Sequence, residues 1–263
     1  METQETTAKK PIFNNISAVG IIYRETNPRQ LFMEMKDGGY PRKAFRWKGL
    51  CIGGNWIGEQ AKSDLNPRDT FCREVEEELC LDKSIASTAE FQKLADDSVA
   101  ARDYVVEKAD LQITDQDRSM LTKVKSAIKG SVKPFCDYHQ YVPRVVFDRA
   151  DPENKAGDCN GLVSVYEVGL PEPIWGTLAT LQERFGNLSN ESITAIASLD
   201  EILKTRQEIA WGQDRILKEF FLRAGFPEAE DFPLIPDIVV KPLGPPMASY
   251  SEYLERYEVQ KRP

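Results

Sequence analysis

Between Asn66 and Leu81 apolar and acidic positions alternate with a helical period. At about 100° per residue, Phe71, Cys72, Val75 and Leu79 fall on one arc, and Glu74, Glu77 and Glu78 fall on another. Asn66 offers a side-chain oxygen to the first turn, and Pro67 fills the position where a missing N–H costs nothing. The pattern predicts a helix over 67–81 with one face for the core and the other available to a cation.

Other stretches read as strands. Ile16 to Tyr23 and Gln30 to Met35 flank an Asn27-Pro28 turn, and Ala44 to Ile52 runs into the glycine pair Gly53-Gly54. Val142 to Phe147 and Leu162 to Val168 are strand-like, joined through Asp151-Pro152 and Gly157-Asp158. Between Leu81 and Phe135 lies a helical insertion, with a capping box at Ser87 and Glu90. Met120, Leu121, Val124 and Ile128 follow at helical spacing, closed by Gly130. Ile216, Leu217, Phe220, Phe221 and Ala224 form a core-facing stripe ending at Gly225. Pro227 to Pro246 is proline-rich and reads as extended over the surface, with a short helix at Tyr250 to Tyr257.

Composition favours one enlarged domain. With 263 residues and 41% hydrophobic content the chain can bury a sizeable core. The division expected is 1–226 as the main domain, including the helical insertion at about 82–133, and 227–263 as a proline-rich C-terminal extension. The insertion supplies extra packing, a homodimer contact or a lid. No apolar stretch is long enough to span a membrane and the first ten residues are polar. Five cysteines, without CxxC spacing, fit reduced thiols in a cytoplasmic protein, which makes the sequons at Asn187 and Asn190 incidental. A net charge of −8 argues against nucleic acid as a partner, because backbone binding needs clustered cations. A small phosphorylated substrate accompanied by metal ions is compatible with that charge.

Three carboxylates at i, i+3 and i+4 repel one another by a few tenths of a kcal/mol per pair on an exposed helix. A solvated acidic face tolerates this; a divalent ion relieves it, and such oxygen ligands suit Mg²⁺ or Mn²⁺. The stretch GGNWIGEQAKSDLNPRDTFCREVEEELCL decides between these readings because it resembles the Nudix box. The helical half matches at Arg73, Glu74, Val75, Glu77, Glu78 and Leu81. The loop half is expanded: only four residues separate Gly54 from Glu59, and the run from Gln60 to Cys72 is longer than the family spacing. Glu59 is preferred for the loop carboxylate from its Gly-Glu context. A competing alignment from Gly58 reaches Asp64 instead. Cys80 stands where the family has a glycine, which puts the helix exit in question.

The resemblance implies an α/β fold, a Nudix-like α/β/α sandwich around a mixed β-sheet. It also implies a metal-dependent hydrolase that cleaves the diphosphate linkage of a small nucleoside diphosphate derivative of ADP-ribose or nucleotide-sugar type. By the same resemblance Glu74, Glu77 and Glu78 hold Mg²⁺ or Mn²⁺, joined by Glu59 and the Gly54 carbonyl, while Arg73 orients the carboxylates. The general base is Glu74 or one of Glu183, Glu191 and Glu208. Among residues near the box, Trp47 and Trp56, alongside Phe45, either stack on a nucleobase, with Arg46, Arg42 or Lys48 meeting phosphate, or are ordinary half-buried strand residues. His139, the single histidine, reads as a strand or loop residue. Two alternatives stay open. One is a catalytically silent nucleotide-binding sensor. The other is an isopentenyl diphosphate isomerase, faintly echoed in Trp47-x-x-x-Cys51 but short of that family's histidines.

Overall fold

A computed structural model describes residues 11–36, 38, 40, 42–56, 64–81, 112–153, 157–189 and 192–260. The strands are β1 (Ile12–Phe13), β2 (Asn15–Arg24), β3 (Asn27–Met35), β4 (Gly49–Leu50), β5 (Ile52–Asn55), β6 (Val132–Val142), β7 (Cys159–Leu170), β8 (Ile193–Ser198), β9 (Val239–Gly244) and β10 (Glu258–Val259). The helices are α1 (Pro67–Glu78), α2 (Asp115–Gly130), α3 (Arg144–Ala150), α4 (Glu172–Phe185), α5 (Leu199–Thr205), α6 (Gln213–Arg223) and α7 (Tyr250–Arg256).

The chain has a mixed α/β architecture. Its main sheet runs β4-β3-β2-β7-β6-β9, with β5 also paired to β2 and β8 to β3. At the centre β2 and β7 run parallel, while β6 and β3 flank them antiparallel. β2 is apolar almost throughout because both its faces are covered. On one face α1, α2 and α4 bury Phe71, Val75, Leu121, Val124, Trp175 and Leu178 against Ala18, Ile22 and Tyr166. On the other, α5 and α6 bury Leu199, Ile216, Leu217 and Phe221 against Val19, Ile21 and Val165. Helices on both faces of a mixed sheet match the expected class.

Several local expectations are corrected. Only Val142 of the expected strand Val142 to Phe147 belongs to a strand; Pro143 follows the end of β6, and Val146 and Phe147 are buried from α3 while Val145 is exposed. Short apolar runs fit either state, and here a helical turn buries more of this one. The stretch Ala44 to Ile52 is broken into a 3₁₀ turn at Lys43–Phe45, a left-handed Trp47 and the short β4, so the strand leading into the box is β5. α2 begins with a capping box at Thr114 and Asp117. The box expected at Ser87 and Glu90 lies outside the described residues. Residues 227–260 do more than cross the surface. They supply β9 to the main sheet, pairing with β6, and α7, whose Tyr250 and Tyr253 are buried with Phe13, Ile16 and Leu162.

Candidate active site

α1 is built as its sequence dictates. The Asn66 side chain accepts from the Asp69 N–H at 3.0 Å, a cap of about 1 kcal/mol. Phe71, Val75 and Leu79 are fully buried. The helix stops at Glu78, and the chain leaves it extended. Leu79 bridges to Ser189, and the Cys80 N–H donates to the Leu188 carbonyl at 2.8 Å. An extended exit needs no left-handed residue, so a cysteine serves where the resemblance expects glycine.

β5 delivers the glycine pair. Gly53 has φ +148°, and a Cβ there would lie 2.2 Å from the Ala18 carbonyl oxygen. At Gly54 a Cβ would come within 2.3 Å of the Glu74 carboxylate, so that carboxylate can lie against the strand backbone only because the side chain is missing.

The three glutamates divide. Glu74 and Glu78 line a cavity of about 450 Å³ together with Gly53 and Gly54. Glu78 is only 3% exposed. Glu77 lies outside that lining with its side chain 56% exposed. Arg73 gathers the group: one Nη1 lies 2.8 Å from both Glu74 Oε1 and Glu77 Oε2, Nε donates to Asp64 Oδ2 at 3.0 Å, and Nη2 donates to the Asn55 carbonyl at 3.2 Å. Burial opposes the Arg73 charge, but its carboxylate partners outweigh that and raise its pKa. Glu76 turns away and joins Lys125 and Lys129 of α2; the Lys129 contact holds its carboxyl below the usual range.

The rest of the cavity comes from distant parts of the chain. Lys36, Tyr40 and Arg42 arrive after β3, Gln140 from β6, and Trp211 and Gln213 from the turn into α6. Burial alone would lower the Lys36 pKa, yet the carboxylates of Glu34 and Glu78 hold it raised, and Glu34 Oε2 lies 3.5 Å from Nζ. The Trp211 indole N–H donates to the Tyr40 hydroxyl at 3.3 Å. Trp211 is left-handed at φ 57°, a conformation that costs a non-glycine residue about 1 kcal/mol or more and recurs at functional sites.

Other expected residues are placed elsewhere. Arg46 donates to the Tyr40 carbonyl, Trp47 is exposed beside Gly38, and Trp56 stacks on Tyr250 at 4.2 Å; none of the three lines the cavity. Phe45 is buried against Trp211, Lys48 pairs with Glu208, and Arg42 alone of the expected cations is in the lining. Glu183 is exposed on α4, while Glu59 and Glu191 lie outside the described residues. Asp64 is buried, and besides Arg73 it accepts from Thr70 at 3.0 Å. His139 stands in β6 with Nε2 2.5 Å from Asn160 Oδ1. Burial pushes the Cys51 thiol up to about 12, which leaves it protonated and removes it as a nucleophile. Among the described residues no group of three or more His, Cys, Asp or Glu side chains is arranged to hold a metal ion. Tyr40 and Trp211, which sequence reading passed over, carried no local signal: neither adjoins the box, and only the fold brings them to it.

No protein-family model matches the sequence, and no curated protein sequence matches it. Solved structures align with it only at low similarity. A bifunctional NMN adenylyltransferase/ADP ribose pyrophosphatase from Francisella tularensis, complexed with AMP and Mn ion, aligns with TM-score 0.41 and 11% identity over 82% of this chain and 43% of that one. The chain thus spans less than half the length of that protein. A MutT/nudix family protein from Enterococcus faecalis aligns with TM-score 0.30 and 11% identity, over 74% of this chain and 46% of its own. Another from Listeria innocua gives 0.32 and 11%, over 83% and 96%. Among the described residues no helix is long and apolar enough to cross a membrane, and none of the five cysteines forms a disulfide.

Proposed function

We propose that the chain is a Nudix-type pyrophosphohydrolase that uses Mg²⁺ or Mn²⁺ to cleave the diphosphate linkage of a nucleoside diphosphate derivative in the cytoplasm. One observation carries the reading: Glu74 and Glu78 from the box helix share a cavity with the glycine pair, two cations and two aromatic rings. The donors suit a hard divalent cation, being carboxylate oxygens beside a backbone stripped of side chains at Gly54. Glu74 and Glu78 would hold it, with the Gly54 carbonyl and Glu59 completing the set and Glu77 acting through Arg73. When bound, such an ion polarises phosphoryl oxygens and lowers the pKa of a water ligand.

The chain's own groups then have separable tasks. Lys36 and Arg42 offset the charge of the diphosphate; Tyr40 and Trp211 offer a planar apolar surface to a nucleobase. Arg73 holds the Glu74 carboxylate in one orientation, and Glu74 accepts the proton of the attacking water. A silent nucleotide-binding sensor is the second reading. It is favoured by the cationic partners, Arg73 on Glu74 and Lys36 beside Glu78, that already neutralise the carboxylates.

The test is product analysis by mass spectrometry with Mg²⁺ or Mn²⁺ and a panel of ADP-ribose, nucleotide sugars, NADH, nucleoside triphosphates, dinucleoside polyphosphates and capped RNA. Turnover that chelation abolishes and that Glu74→Gln lowers by roughly 10²–10⁴-fold is the expected result. Folded protein that binds Mn²⁺ and nucleotide without turnover would establish the sensor reading.

A further inference from the structure

α7 lies more than 170 residues after α1 in sequence, yet Tyr250 is buried against it. Its hydroxyl lies 2.6 Å from Thr70 Oγ1, and Thr70 Oγ1 lies 3.0 Å from Asp64 Oδ2. A hydroxyl carries a single proton. A buried carboxylate accepts only, so Thr70 donates to Asp64 and Tyr250 must donate to Thr70. The Asp64 oxygen that receives this bond also receives the Arg73 Nε–H, and Arg73 in turn holds Glu74 and Glu77. The bonds therefore run in one direction, from Tyr250 through Thr70 and Asp64 to the guanidinium that aims the carboxylates. Burial raises the Tyr250 pKa, so the phenol keeps its proton and remains a donor.

The same residue grips the chain on both sides of residues 57–63. Its ring stacks on Trp56 at 4.2 Å and 16°, and its backbone N–H donates to the Leu65 carbonyl at 3.0 Å. One turn on, fully buried Tyr253 donates to Asp137 Oδ2 at 2.6 Å and lies 3.0 Å from Ser164 Oγ, which locks α7 to β6 and β7.

We propose that Tyr250 is a positioning residue for the α1 carboxylate site: its hydroxyl orients Arg73 through Thr70 and Asp64, while its ring and amide pin the chain at Trp56 and Leu65. The role of that site rests on the hydrolase reading; the orientation of Arg73 does not. Tyr250 touches no reacting atom. Its loss acts on the geometry of Glu74, so kcat falls while KM, set by the cations and aromatic rings, holds.

The experiment compares full-length wild type with Tyr250→Phe, Thr70→Val and Thr70→Ser. Three quantities are read: kcat and KM on the best substrate of the panel, the Mn²⁺ binding midpoint, and the solvent-exchange rate of the Arg73 Nε–H by NMR. The expected result is a fall in kcat or Mn²⁺ affinity of about 10-fold or more for Tyr250→Phe and Thr70→Val, with KM unchanged and faster Nε–H exchange. Thr70→Ser, which keeps the hydroxyl, should retain wild-type values. Folded Tyr250→Phe and Thr70→Val proteins with wild-type kcat, Mn²⁺ midpoint and Nε–H exchange would overturn the proposal. If wild type neither turns over nor binds Mn²⁺, the hydrolase reading falls by itself, and the Nε–H exchange rates alone decide for or against Tyr250.

Discussion

At the scale of single residues, the site turns on how closely two groups approach. Gly54 and Glu74 are in contact because one of them has no side chain, so Gly54→Ala should push the carboxylate aside and leave the fold standing. The displaced atoms are the far end of a flexible side chain, and the stability change should stay within about 0.5 kcal/mol. On the hydrolase reading, turnover should fall by roughly 10²-fold, the usual consequence of a misplacement near 1 Å. Steady-state kinetics beside urea denaturation separate the two effects; equal activity would remove Glu74 from the chemistry. Glu77 shows how far local spacing reaches. Helical periodicity groups it with Glu74 and Glu78, yet it is exposed outside the cavity while Glu78 is buried within it.

At the scale of elements, that division follows from how α1 is seated. The Phe71 ring fills the space above Gly20 of β2, where a Cβ would lie 2.3 Å from its rim. This contact sets the helix's rotation and depth on the sheet, and hence which glutamates meet the cavity. Gly20→Ala should therefore destabilise by about 1–3 kcal/mol through overpacking, visible as a lower denaturant midpoint at unchanged m-value. A midpoint at or above wild type would show that α1 can shift without loss. Element identity was legible where a pattern ran long enough. β2, β7, α1 and α6 lie within a few residues of where the patterns put them, and α2 covers the periodic stretch from Met120 to Gly130. Residues 142–147 fit a strand pattern as well as a helical one because their four apolar side chains satisfy either state. What decides is the buried cluster of Phe45, Ala210 and Ile238, which receives Val146 and Phe147 from a helix.

At the scale of the whole molecule, the C-terminal segment closes the structure. β9 extends the sheet at β6, α7 covers the Phe13 and Leu162 cluster, and Ala229, Phe232, Ile235 and Ile238 are buried, so a proline-rich run that looks like a surface strap contributes to the core. Asp137 sits at this seam, 2% exposed, and burial raises its carboxyl above the ordinary range. A raised folded-state pKa means that the folded chain holds the proton more tightly than the unfolded one. The resulting stability is full below the unfolded value of about 3.9 and is lost as pH rises through the folded value. Asp137→Asn should accordingly gain thermal stability over wild type near pH 7, and the gain should shrink as pH falls toward about 4. Melting curves across that range test it, and a variant less stable than wild type at pH 7 would show that the charged form is the one the fold prefers.

The sequence by itself determined the capped acidic helix, the glycine pair before it and the two central strands. These depend on neighbours within a turn or a pleat, and their rules are written in adjacent residues. Only the tertiary structure decided that Glu78 faces inward and Glu77 outward, that Lys36, Tyr40 and Trp211 join the glutamates, and that Tyr250 reaches Arg73 through Thr70 and Asp64. Those pairings join residues far apart in the chain. They are set by strand register across β2, β7 and β6 and by the seating of Phe71 over Gly20, to which no local periodicity refers.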